Sequence, residues 1–276
     1  MPEVQVVGGT LRFETLGSTG DPTVFVHGSW SDRSTWGRLC GPLSGALRVL
    51  VYDRRGHGSS SDGPTTGPVR ADAADLAALL EGTDLVPAHV VGVGYGAAVA
   101  FRVALDRPEL VRSVAAHDPP FAAWRPKADP PPSDGARTHE ELDALRRRVR
   151  SGDAEGAARA YVERFAPELG PWAALGPSER AGRAREARAW AAESTDPDAL
   201  GPDRPELATL DLPVLLTTGE SSGPESLAIL EELERTLRNR VARTIPGTGS
   251  SPQVTDAETY AGVLSVFLLE RDVPPA

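Results

Sequence analysis

Histidine is scarce in this chain and runs out early. Of five in 276 residues the last is His139, so nearly half of the sequence follows without an imidazole. A reaction drawing a general base from that half must do without the side chain best matched to neutral pH. Cysteine is scarcer: Cys40 stands alone, which excludes an internal disulfide and fits a reducing compartment. No His or Cys pair has ligand spacing, so neither a metal nor a cofactor is expected. Basic residues are outnumbered, 29 against 39 acidic, for a net charge of −10. Nucleic acids and anionic membranes select for the opposite sign. No segment approaches the roughly 20 apolar residues of a membrane helix, and Met1 to Phe13 lacks the basic stretch and apolar run of a signal peptide. The expectation is a cytoplasmic monomer or homodimer whose partner is a small molecule.

What is present is ordinary for one globular domain: 40% hydrophobic and 25% charged residues, enough to bury a large core. Short apolar runs at Thr23 to Val26, Val49 to Tyr52, His89 to Val93 and Val111 to Ala116 read as buried strands. Helical periodicity over Arg70 to Leu80 and Tyr95 to Leu105 separates them, the signature of a parallel sheet wrapped by helices. Ligands then gather at the C-terminal ends of the strands. The pattern changes after Phe121. Pro126 to Ser133 holds four prolines and reads as a linker, followed by helices over Glu140 to Val149, Ala154 to Phe165 and Ser178 to Glu193. Strands return at Pro213 to Thr217 and Val241 to Ile245, with helices over Glu225 to Arg238 and Glu258 to Leu269. The expected division is a core of residues 1–120 and 206–276 with a helical lid of residues 121–205.

Three turns carry a chemical pattern. They are Val24-Phe25-Val26-His27-Gly28-Ser29-Trp30, Tyr52-Asp53-Arg54-Arg55-Gly56-His57-Gly58-Ser59-Ser60 and Val90-Val91-Gly92-Val93-Gly94-Tyr95-Gly96-Ala97-Ala98. In this order and spacing the chain resembles the α/β-hydrolase superfamily, of the lidded bacterial type. The resemblance implies a mostly parallel central sheet flanked by helices, and an oxyanion hole made by the backbone amides of Ser29 and Tyr95. It also implies a triad in the order nucleophile, acid, histidine, and there the chain departs from the pattern. The elbow that should read Gly-x-Ser-x-Gly has Gly94 at its centre, and a glycine cannot attack a carbonyl. Pro246-Gly247-Thr248-Gly249-Ser250-Ser251-Pro252 is similar to the Gly-x-Gly-His turn, with Ser250 where the histidine would stand. The acid position after one strand holds Ser222, beside Glu220. The alternative position, one strand earlier, holds Asp118 in Ala116-His117-Asp118-Pro119-Pro120.

Asp118 and His117 are therefore the expected acid/base residues, although strand alternation sets neighbours on opposite faces. His27 and His57 fit loop-holding roles. Trp30, Trp124, Tyr161 and Trp190, with His27, are the expected pocket wall, suited to a hydrophobic ligand. Three functions compete: a cofactor-independent lyase, isomerase or cyclase; a small-molecule-binding pseudo-hydrolase; and a hydrolase in which Asp118 activates water.

Overall fold

The computed structural model describes residues 1–61, 68–124, 133–165 and 171–269, with only the backbone of 133–139. Among the described residues, eight strands form one sheet: β1 (Glu3–Val6), β2 (Gly9–Leu16), β3 (Pro22–Val26), β4 (Arg48–Tyr52), β5 (Ala88–Val93), β6 (Val111–His117), β7 (Val214–Gly219) and β8 (Arg240–Ile245). Their spatial order is β1-β2-β4-β3-β5-β6-β7-β8. β2 pairs antiparallel with both neighbours, and every pairing from β4 across to β8 is parallel. The central strands are buried on both faces, so their sequences are continuous apolar runs rather than alternating ones.

Helices follow as α1 (Gly37–Leu43), α2 (Val69–Gly82), α3 (Tyr95–Asp106), α4 (Ser133–Arg150), α5 (Ala154–Phe165), α6 (Pro177–Glu193), α7 (Arg204–Leu207), α8 (Pro224–Thr236), α9 (Pro252–Thr255) and α10 (Ala257–Leu269). One face of the sheet is covered by α2, α3 and α8, with Leu76, Leu80, Phe101 and Leu233 in the shared core. The other is covered by α1 and α10, through Leu39, Cys40, Leu43, Leu264 and Phe267. On α10 the buried positions Tyr260, Ala261, Leu264, Phe267 and Leu268 form a single helical stripe. Each fully buried leucine of such a stripe contributes roughly 1.5–3 kcal/mol. Burial pushes the Cys40 thiol up to about 12, which leaves it protonated inside this layer.

Between β6 and β7 the chain forms α4, α5 and α6, which pack on one another around Leu145, Ala158, Val162, Trp172 and Trp190. Trp30, from the turn after β3, joins that cluster and ties the helical segment to the sheet. The expected linker lies outside the described residues except Ser133, which is already the first residue of α4.

Candidate active site

The turn after β5 is shaped by three glycines with different duties. A Cβ on Gly96 would lie 2.1 Å from the Val26 carbonyl oxygen, and one on Gly92 would lie 2.3 Å from that of Gly96, so strand and helix approach too closely for any side chain. Gly94 is different. Its φ of 53° and ψ of −123° give the strained elbow, yet a Cβ there would meet nothing within 4 Å. The amide of Gly94 donates to the His117 carbonyl at 2.9 Å, fixing the turn to the end of β6. The backbone of a nucleophile elbow is thus present with open space where its side chain would project.

That space belongs to a cavity of about 870 Å³ at the C-terminal ends of the strands. Ser29 and Gly94 with Tyr95, the first residue of α3, line it from the sheet side. Ser250 and Gln253 line it from the turn after β8 and from α9. Leu142, Arg146, Tyr161, Phe165, Arg183, Trp190 and Glu193 line it from α4 to α6. Trp30 stacks on Tyr161 with centroids 4.0 Å apart and planes 8° from parallel, and meets Trp190 at 5.1 Å. Trp30 Nε1 and Gln253 Oε1 are both buried without a hydrogen-bond partner.

The charged residues are organised around Arg54, which is 1% exposed. Its Nε donates to the His27 carbonyl at 3.0 Å, Nη1 to Asp72 at 2.8 Å and Nη2 to the Gly28 carbonyl at 3.1 Å. Its guanidinium lies 4.6 Å from the centre of the Tyr95 ring. Nη2 also ion-pairs at 2.7 Å with Glu193 Oε1, at the end of α6. The second oxygen of Glu193 accepts the Ser29 hydroxyl. One carboxylate at the end of α6 therefore touches both the turn after β3 and the buried arginine.

Burial, and then the charge of Arg54, hold His27 and His57 well below the ordinary histidine range, so both are neutral. The Arg54 amide donates to His27 Nε2 at 3.0 Å, which leaves His27 Nδ1–H to donate to the Gly28 carbonyl at 2.8 Å. Burial raises Asp72 to about 7 even beside Arg54. Asp32, also on the cavity, goes the other way: burial opposes its charge, but hydrogen bonds from the Ser34 hydroxyl and amide outweigh it and hold the carboxyl below the usual range.

Several expectations need correction. His117 and Asp118 do not line the cavity. Their side chains face each other instead, with Nε2 3.4 Å from Oδ2. Asp118 has a φ of 43°, and this left-handed step cancels the strand alternation that should separate them. His117 is wholly buried, bonded to the Thr217 hydroxyl at 3.0 Å and the Gly249 carbonyl at 3.1 Å. Desolvation should raise Asp118, but its contacts with His117 and Ser222 prevail and lower its pKa. His27 is a buried loop fastener off the cavity wall, and Trp124 is a core residue whose Nε1 donates to the Pro202 carbonyl at 2.9 Å. Ser222 is likewise away from the cavity, bonded to Asp118. Ser29, Trp30, Gly94, Tyr95, Tyr161, Trp190 and Ser250 do share the cavity. Sequence reasoning missed Glu193, Asp32, Arg146, Arg183 and Gln253. In the Arg-, Ala- and Glu-rich α6, a buried glutamate carries no mark that separates it from solvated ones.

The chain belongs to the alpha/beta hydrolase family, whose model matches residues 23–263. A stretch of 114 residues, 41% of this chain, is 33% identical to the dihydrolipoyllysine-residue acetyltransferase component of the acetoin cleaving system of Cupriavidus necator. The matched stretches span about a third of the length of the curated relatives, 30% in that protein. Among solved structures, the enol-lactonase from Burkholderia xenovorans LB400 matches with a TM-score of 0.76 at 20% identity, over 98% of this chain and 100% of that one. A thermophilic esterase from Thermogutta terrifontis matches with a TM-score of 0.74 at 24% identity, over 98% of each chain. At these identities the likeness is one of fold, the α/β-hydrolase fold. Among the described residues, no helix is long and apolar enough to cross a membrane.

Proposed function

We propose that this protein is a cofactor-independent enzyme that forms no acyl-enzyme: a lyase, isomerase or cyclase acting on a largely hydrophobic small molecule beneath a lid made by residues 121–205. One observation carries this reading. The elbow at Gly94 keeps its strained backbone and opens into the cavity, but offers a hydrogen atom in place of a nucleophile. Among the described residues, no histidine lines that cavity to serve as triad base. Around it the aromatic wall of Trp30, Tyr161 and Trp190 suits an apolar body, while Ser29 and Tyr95 supply backbone donors for a substrate oxygen. Asp32 and Glu193, rather than Asp118 and His117, are the acid/base side chains that line it. Polar groups converging on an apolar pocket favour an enzyme over a carrier.

The test is proton chemistry without hydrolysis. A panel of hydrophobic ketones, lactones and activated esters is incubated with the protein in deuterated buffer and followed by NMR. We expect deuterium to enter beside the carbonyl of at least one ketone, with no ester burst and no fluorophosphonate adduct. Stoichiometric labelling of a cavity serine would overturn the reading. Saturable binding with neither exchange nor conversion across the panel would leave a binding protein in its place.

A further inference from the structure

Asp72, Arg54 and Glu193 form a buried row, and all three are at most 2% exposed. Arg54 stands between the carboxylates, 2.8 Å from Asp72 Oδ2 and 2.7 Å from Glu193 Oε1. Every other titratable group packed on the row is uncharged or committed. His27 and His57 are neutral, the Tyr52 and Tyr95 phenols are pushed up by burial, and Asp75 is engaged bidentately by Arg55. Arg185, on α6, binds the carbonyls of Gly58 and Ser60. Two carboxylates thus share one guanidinium away from water, and burial raises the Asp72 carboxyl to about 7. The cavity end of the row is Glu193, whose Oε2 faces the Ser29 hydroxyl beside the oxyanion turn.

A carboxylate at that spot changes what the turn can hold. Backbone donors alone would favour an oxyanion, but a neighbouring negative charge disfavours one and favours an oxygen that keeps its proton. We propose that Glu193 is the catalytic residue that exchanges a proton with the substrate's oxygen, and that this oxygen is a hydroxyl or enol rather than an oxyanion. The inference rests on reading the cavity as a non-hydrolytic active site and narrows its substrates to hydrophobic molecules that carry or acquire an O–H group. In the step itself one O–H bond breaks as another forms, between Glu193 Oε2 and the substrate oxygen, with no change in oxidation state. The Ser29 and Tyr95 amides bind the oxygen's lone pairs. Arg54 and Asp72 are positioning residues that adjust the charge behind it.

A chromophoric phenol tests this without knowledge of the substrate. With 4-nitrophenol, whose ionised form alone is yellow, we expect saturable binding of the neutral phenol, about tenfold or more tighter than the phenolate, so that the bound probe's pKa rises by about one unit or more. Glu193→Gln should reverse the preference, because Arg54 then faces the probe with one carboxylate fewer. Glu193→Asp should restore it in part. A urea unfolding midpoint for each variant separates a Glu193 variant that does not fold from one that has lost the preference. Binding of phenolate by the native protein, or no saturable spectral change, overturns the assignment and leaves the non-hydrolytic reading standing. A fluorophosphonate adduct would do the reverse.

Discussion

Ser222 donates its hydroxyl hydrogen bond to Asp118 Oδ2 at 2.5 Å. These are the two positions, after β7 and after β6, where the hydrolase resemblance sets the triad acid, and here they meet in one contact. Asp118 is held there with its pKa lowered by His117 and Ser222, while Gly94 and Ser250 stand where the resemblance implies the nucleophile and the base.

Restoring both missing members should therefore recover chemistry. Gly94→Ser alone gives a serine with no base and Ser250→His alone gives a base with no nucleophile, so neither should hydrolyse 4-nitrophenyl butyrate above the native protein. The double variant should exceed either by at least about tenfold, because triad members act as a unit. Burst kinetics and fluorophosphonate labelling of the double variant check this; equal rates in the single and double variants would refute the assignment of position 250.

Asp118→Asn should cost stability rather than turnover. A buried carboxylate accepting hydrogen bonds typically contributes about 1.5–3 kcal/mol. Its folded pKa is lowered, so this contribution is present above the unfolded value and is lost as pH falls through the folded one. Native and variant melting temperatures should differ at pH 7 and converge in strong acid. Loss of deuterium exchange with unchanged stability would return Asp118 to a catalytic role.

The two elbow glycines should respond very differently to alanine. Gly94→Ala has room and faces only the strain of its positive φ, of order 1–3 kcal/mol. Gly96→Ala drives a methyl into the Val26 carbonyl and should cost more than that, or prevent folding. Urea unfolding midpoints, compared side by side, give the order.

Asp72 should leave a mark on the pH dependence of folding. Its folded pKa, about 7, exceeds the ordinary aspartate value of 3.8 that it has when unfolded. The associated stability is therefore full below the unfolded value and drains away as pH rises toward 7. Asp72→Asn should flatten the fall in urea midpoint between pH 4.5 and 7.5, even if it lowers the whole curve through loss of the Arg54 pair. An unchanged slope would place the titration elsewhere.

Much of this molecule was legible in the sequence because burial on both faces turns a strand into a plain apolar run. The five strands from β3 to β7 lie within about two residues of where those runs predict them, and so does the half-exposed edge strand β8. β1 and β2 escaped notice because this hairpin is only half buried: β1 alternates exposed and intermediate residues, and on β2 only Leu11 and Phe13 are buried. α1 escaped because Gly37, Gly41 and Pro42 disguise seven helical residues. The elbow was readable because its geometry dictates glycines. Glu193 was not, since its burial depends on how α6 lands on Ser29, 164 residues away in the chain. The same limit hid the meeting of His117 with Asp118, which turns on one dihedral angle.

Cys40 has a practical consequence. Its thiol is 1% exposed and held protonated by its apolar surroundings, so reagents that attack thiolates should pass it by. A cysteine introduced in place of Arg159 or Glu163, on the outer face of α5, would then be the single reactive sulfur in the protein. A fluorophore attached there would report whether the helical segment moves when a ligand enters the cavity, in a chain otherwise left as nature wrote it.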